Sequence, residues 1–200
     1  MKATQSIKRL SSGQPFRLDA IGDSLTSGWM VNKGYVRFLE EMLTHRYPDT
    51  PIEVNSFGVP GDTAQGGMMR LNNHLFRHDP NAVMIQFGLN DMALGFSAYE
   101  YQLHIDSMIK TIREKSTIEI ILVSSVCFNS PRKNADISPY YDKLNILSKT
   151  YALPFAKVHE YWRTNIDGGT SYNSIVMDDT VHPTEKGYRL MAEAIMKLFY

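Results

Sequence analysis

Between Ile118 and Ser125 nearly every side chain is apolar or β-branched. A strand with one face in water alternates apolar and polar residues. A near-continuous apolar run instead belongs to a sheet covered on both faces. Parallel neighbours in such a sheet must be joined by crossover helices, and the chain supplies that alternation. Phe16 to Ile21 reads as a first strand, Pro51 to Asn55 as a short second, and Asn81 to Phe87 as a third. Leu153 to Val158 reads as a short last strand. Helical periodicity fills the gaps at Tyr35 to Tyr47, Ala98 to Lys115, Tyr140 to Tyr151 and Thr184 to Tyr200, with Thr184 as an N-cap. The expected fold is a three-layer α/β/α sandwich. Phe128 to Pro139 and Arg163 to Met177 lack periodicity and read as surface loops near the site side of the sheet.

The chain has 200 residues, which suits one domain with a sizeable core. Met1 to Pro15 is polar and reads as an N-terminal extension (1–15) ahead of the domain proper (16–200). Basic and acidic residues number 21 each, so net charge offers no case for a nucleic-acid partner or an anionic membrane surface. Neither a signal peptide nor a membrane span is visible, which points to a cytoplasmic protein without stable membrane insertion. The single cysteine, Cys127, rules out an internal disulfide framework and reads as a buried small hydrophobe. The sequence leaves room for a homo-oligomer.

In parallel α/β sheets, sites form at the carboxyl ends of the strands. Three polar motifs stand there: Gly22-Asp23-Ser24, Gly58 to Asp62, and Gly88-Leu89-Asn90-Asp91. A fourth, Asp179-Thr180-Val181-His182-Pro183, precedes the last helix. A serine hydroxyl is a weak nucleophile until a base takes its proton, and a carboxylate selects which imidazole nitrogen faces it. Ser24 is therefore the candidate nucleophile, His182 the base and Asp179 its orienter. Asp178 is the alternative, one residue displaced. Acyl transfer also needs donors aimed at the oxyanion. The Ser24 N–H, the Gly61 N–H and the Asn90 side-chain amide are the candidates. Each motif alone also reads as an ordinary turn or cap. Ser24 is not in a Gly-x-Ser-x-Gly elbow, which disfavours the α/β-hydrolase fold.

As a set, the four motifs resemble the SGNH (GDSL) hydrolase family, whose blocks contribute a serine, a glycine, an asparagine and a histidine in this order. The likeness runs from about Phe16 to Tyr200. The glycine block departs from the commonest form: it is one residue longer between Asn55 and Gly58, and Pro60 stands where serine is frequent. That leaves Gly58 beside Gly61 as a candidate. The resemblance implies a flavodoxin-like parallel sheet of about five strands and hydrolysis of a small-molecule ester or thioester through an acyl-serine, without metal or cofactor. The sequence leans towards short-chain, acetyl-type esters. A lysophospholipase or acyl-thioesterase, an acyltransferase, or an inactive binding module on the same fold are the other readings.

His74 and His78 stand at metal-ligand spacing, but no third ligand is suggested nearby. His45, His104 and His159 have no chemical company in the sequence. Trp29, Phe96, Tyr99, Tyr140 and Tyr141 follow the motifs and either line a substrate pocket or fill the core.

Overall fold

A computed structural model describes the backbone of residues 1–200 and every side chain except those of 72–78. The His74 and His78 pair therefore lies outside the described side chains. Five strands form one parallel sheet: β1 (Phe16–Gly22), β2 (Ile52–Gly58), β3 (Ala82–Gln86), β4 (Glu119–Val123) and β5 (Phe155–Ala156). Their order is β2-β1-β3-β4-β5, the flavodoxin-like arrangement. β3 and β4 are buried at every position, as an inner strand covered on both faces requires. β2, at one edge, is only partly buried.

The helices are α1 (Thr4–Ser11), α2 (Ser24–Ser27), α3 (Tyr35–Arg46), α4 (Ala64–His78), α5 (Leu89–Ala93), α6 (Ala98–Lys115), α7 (Pro131–Tyr151), α8 (Val158–Asp167) and α9 (Glu185–Met196). α3 packs on α9 and α9 on α8, while α4, α6 and α7 pack in a second layer. α6 starts at a capping box between Ser97 and Glu100 and buries Tyr101, Ile105, Met108, Ile109 and Ile112, the stripe its periodicity predicts. Thr184 caps α9 as expected, accepting the Gly187 N–H. Among the described residues, no helix is long and apolar enough to cross a membrane.

Three segments differ from the sequence reading. α7 begins at Pro131, not Tyr140, and runs straight through Pro139. Ser130 caps it and Pro131 occupies the first turn, where its missing N–H costs nothing. The last strand shortens to Phe155–Ala156, because Val158 already opens α8, whose buried Val158 and Trp162 lie one turn apart. Residues 163–167 are thus helix rather than loop.

The third difference is the stretch before Phe16, which forms α1 and buries Ala3, Ser6 and Leu10. Glu119 on β4 is a buried carboxylate, and such a group needs donors. It takes the N–H groups of Gln5 (3.2 Å) and Ser6 (2.8 Å) and the Ser6 hydroxyl (2.6 Å). The same contacts satisfy the carboxylate and give the first-turn N–H groups of α1 their acceptor.

The register decides where the site can be. Gly22 pairs with Gly58 on one side and with Gln86 on the other. The ends of the three strands that carry the first three motifs therefore lie side by side.

Candidate active site

β1 ends at Gly22, and the chain turns at once into α2, whose first residue is Ser24. Asp23 is the N-cap: its carboxylate accepts the Leu25 N–H at 2.9 Å. As the first residue of a helix, Ser24 has an N–H with no intrahelical acceptor. A buried polar chain supports this turn from beneath. The Thr26 hydroxyl donates to Gln86 Oε1 (2.8 Å) and meets the Tyr35 hydroxyl (2.9 Å), while Gln86 Nε2 donates to Ser125 Oγ (2.8 Å). Ser24 itself is buried except for 7% of its surface.

His182 reaches this serine from the far end of the chain, with Nε2 2.9 Å from Ser24 Oγ. Its Nδ1 lies 2.6 Å from Asp179 Oδ2. A carboxylate can only accept, so Nδ1 carries the proton and the Nε2 lone pair faces the serine. Asp179 Oδ1 also accepts the N–H groups of Val181 and His182, each at 2.9 Å. The partly exposed Asp179 carboxyl feels opposing effects. Burial pushes it up, but the His182 and Val181 N–H groups and the His182 ring outweigh that and hold it below the ordinary carboxylate range. The loop is closed by Thr180 N–H on the Met177 carbonyl (2.9 Å) and Met177 N–H on the His182 carbonyl (2.8 Å), with Thr180 at φ +63°. Of the two candidate orienters, it is Asp179 whose carboxylate meets His182 Nδ1; Asp178 is exposed beside it.

The two glycines of the second motif have different surroundings. A Cβ on Gly58 would stand 2.2 Å from Ser27 N and 2.6 Å from the Asp23 carbonyl. Gly58 is thus where β2 passes close behind the serine turn. Gly61 has φ +81° and nothing within 4 Å of its Cβ position, so its turn is open on that side and suits a left-handed glycine. Asn90, on α5, donates one amide N–H to the Asp62 carbonyl at 2.8 Å. Beside it, Asp91 accepts the Ala64 N–H at 3.0 Å. α5 therefore grips the turn after Gly61 at two points.

Two buried carboxyls lie under this site. Burial pushes Asp23 up to about 7 and Asp91 up to about 6. Sequence reading missed the Thr26–Gln86–Ser125 chain, because each member is unremarkable until the fold brings strand ends together. His159, which had no partner in the sequence, stacks on Tyr141 and sits 2.7 Å from Ser124 Oγ. Burial pushes its ring down to about 4. Tyr140 and Tyr141 are core residues, Phe96 is half-buried, and Trp29 and Tyr99 are exposed. Cys127 is buried, as expected. Among the described residues, no group of three His, Cys, Asp or Glu side chains could hold a metal.

The geometry joins Ser24, His182 and Asp179 in one chain of hydrogen bonds, and ties Asn90 on α5 to the turn that carries Gly61. Residues 20–190 match the model of the GDSL-like Lipase/Acylhydrolase family. The chain belongs to that family. It is a carboxylic ester hydrolase.

Its relatives carry esterase names. An arylesterase of Vibrio mimicus is 25% identical over 90% of this chain and 86% of its own length. A protein of Escherichia coli named Thioesterase 1/protease 1/lysophospholipase L1 is 23% identical over 88% of this chain and 80% of its own. An acetylxylan esterase of Geobacillus stearothermophilus is 22% identical over 94% of this chain and 95% of its own. The crystal structure of that esterase superimposes with a TM-score of 0.81, covering 94% of this chain and 95% of its own. This GDSL hydrolase therefore shares the fold of that esterase along almost its whole length.

Proposed function

We propose that this GDSL hydrolase cleaves short-chain, acetyl-type carboxylic esters through an acyl-serine intermediate, with Ser24, His182 and Asp179 as its catalytic residues. The observation that carries the proposal is the unbroken chain Ser24 Oγ–His182 Nε2 (2.9 Å) and His182 Nδ1–Asp179 Oδ2 (2.6 Å). His182 Nε2 takes the hydroxyl proton as Ser24 Oγ attacks the acyl carbon. The carbonyl oxygen becomes an oxyanion, held by the Ser24 N–H, the Gly61 N–H and the second amide N–H of Asn90. The bond to the alcohol oxygen breaks, and that oxygen takes the proton from His182. Water then gives a proton to the same nitrogen and attacks the acyl-serine. The acid leaves and Ser24 regains its hydrogen.

The acetyl preference is supported by the likeness to the acetylxylan esterase, which spans 94% of this chain. A second reading, hydrolysis of long-chain acyl groups, is favoured by exposed apolar side chains in or beside three of the motifs: Trp29 (44%), Val59 (43%) and Leu94 (67%). A panel of p-nitrophenyl acetate, butyrate, octanoate and palmitate, run beside acetylated xylo-oligosaccharides, decides between them. The acetyl reading expects kcat/KM to fall with chain length. A rise through octanoate and palmitate would replace it with the long-chain one.

A further inference from the structure

One charged side chain outside the four motifs touches the segments that carry the first two. Arg70, on α4, uses all three guanidinium nitrogens. Nε donates to Asp62 Oδ2 at 2.7 Å, Nη1 to the Phe57 carbonyl at 2.8 Å and Nη2 to the Gly22 carbonyl at 2.9 Å. The pair is well covered, with 16% of the Arg70 side chain and 12% of the Asp62 side chain exposed.

Each acceptor adjoins a working part. Gly22 is the last residue of β1, two before Ser24. Phe57 is the next to last residue of β2, ahead of the turn that carries Gly61. Asp62 follows Gly61, and its own carbonyl holds the Asn90 amide. The ladder between β1 and β2 ends at the pair Gly22 and Gly58. Besides the ladder, the segments that carry the serine turn and the glycine turn are tied by the Val59 N–H on the Gly22 carbonyl (3.0 Å), by Ser56 Oγ, still within β2, on the Thr26 carbonyl (2.7 Å), and by Arg70. Val59 also reaches the glycine turn, its carbonyl accepting the Asp62 N–H at 3.0 Å, but of the three only Arg70 holds the Asp62 side chain.

We propose that Arg70 is a positioning residue, which sets the Ser24 turn and the Gly61–Asp62 turn at the separation that lets their N–H groups converge on one oxyanion. The inference rests on the oxyanion assignment made above. A planar guanidinium holds three acceptors in one fixed fork, whereas a lysine ammonium is a single point charge on a flexible stem. Arg70 touches no reacting atom, so its loss acts on transition-state geometry and leaves ground-state binding nearly intact. Misplacing catalytic groups by about 1 Å costs on the order of 10²-fold in rate.

The test uses Arg70→Lys and Arg70→Met in the full chain. It measures kcat and KM on p-nitrophenyl acetate and the rate of fluorophosphonate labelling, both per folded molecule by circular dichroism. The expected result is a fall in kcat on the order of 10²-fold for the methionine variant and at least about tenfold for lysine, with KM within about threefold in both. Labelling slows in step with kcat. If the methionine variant does not fold, the lysine variant, which keeps the charge, carries the test. A folded lysine or methionine variant with kcat within about threefold of the parent, or with the loss confined to KM, overturns the proposal. The parent protein separates the two levels. A parent that neither hydrolyses the ester nor takes the label refutes the acyl-serine reading, whereas an active parent matched by its Arg70 variants refutes only the role of Arg70.

Discussion

Asp179→Asn and Asp179→Ala should damage this enzyme in opposite ways. Asp179 Oδ1 accepts two backbone N–H groups at 2.9 Å, while Oδ2 accepts the His182 Nδ1–H at 2.6 Å. An asparagine must keep its oxygen on the two backbone donors, because its NH₂ cannot accept from them. Its NH₂ then faces His182 Nδ1, which is forced to accept. The ring proton moves to Nε2, and the nitrogen 2.9 Å from Ser24 Oγ can no longer take the serine proton. A wrong tautomer of this kind costs a serine–histidine–aspartate site about 10⁴-fold in kcat, roughly 5 kcal/mol of barrier. An alanine leaves the space empty, and 46% of the Asp179 side chain is already exposed, so water can reach Nδ1 and the productive tautomer survives. We expect a kcat loss of only about 10²-fold there, the scale of losing part of a general-base system. Stability should run the other way. The asparagine keeps both loop hydrogen bonds, while alanine gives them up at about 1 kcal/mol each, less where water replaces them. The assay is kcat on p-nitrophenyl acetate together with the thermal midpoint of both variants, with Asp178→Asn as control at near parent activity. An asparagine variant faster than the alanine variant, or an Asp178 variant as impaired as either, would refute the tautomer argument.

Two other outcomes follow from the geometry. Gly58→Ala places a Cβ 2.2 Å from Ser27 N and should lower the thermal midpoint and activity together. Gly61→Ala meets no atom within 4 Å but must hold φ +81°, a strain of about 1–2 kcal/mol. It should stay folded and lose mainly kcat; equal loss of midpoint in both variants contradicts the division of roles. Buried Asp23, pushed up to about 7, favours its neutral form in the fold. Its contribution to stability is therefore full below its unfolded value near pH 4 and is lost as pH rises to about 7, on the order of 4 kcal/mol. Asp91, pushed up to about 6, acts in the same direction, and His159, pushed down to about 4, in the opposite one. Comparing the parent with Asp23→Asn cancels both. The variant's stability should fall less steeply between pH 4 and 7, and parallel curves would contradict the burial argument.

The layered fold was legible because burial writes itself into strands. Ile118 to Ser125 could only be an inner strand, and β4 is buried throughout. Helices with a continuous apolar stripe, α6 above all, were equally legible. Segments whose order comes from tertiary partners were not. The first two turns of α7 bury only Ile137, and a proline stands at 139, so periodicity starts at Tyr140. α1 owes its place to Glu119, more than a hundred residues away. The site divides in the same way. Ser24, Gly61, Asn90, Asp179 and His182 stand in short local motifs, ordinary turns singly but legible as a set from their order along the chain. Arg70 and Gln86 act through carbonyls and side chains of other segments, and nothing near them in sequence marks that.

The central claim is that the Ser24 oxygen forms a covalent bond to the acyl carbon. Fluorophosphonate labelling followed by peptide mass analysis tests it most directly. The account predicts one adduct, on the peptide and residue of Ser24, with loss of esterase activity in proportion to labelling and no adduct on Ser24→Ala. An adduct on another residue, or full ester hydrolysis by the Ser24→Ala variant, would contradict it.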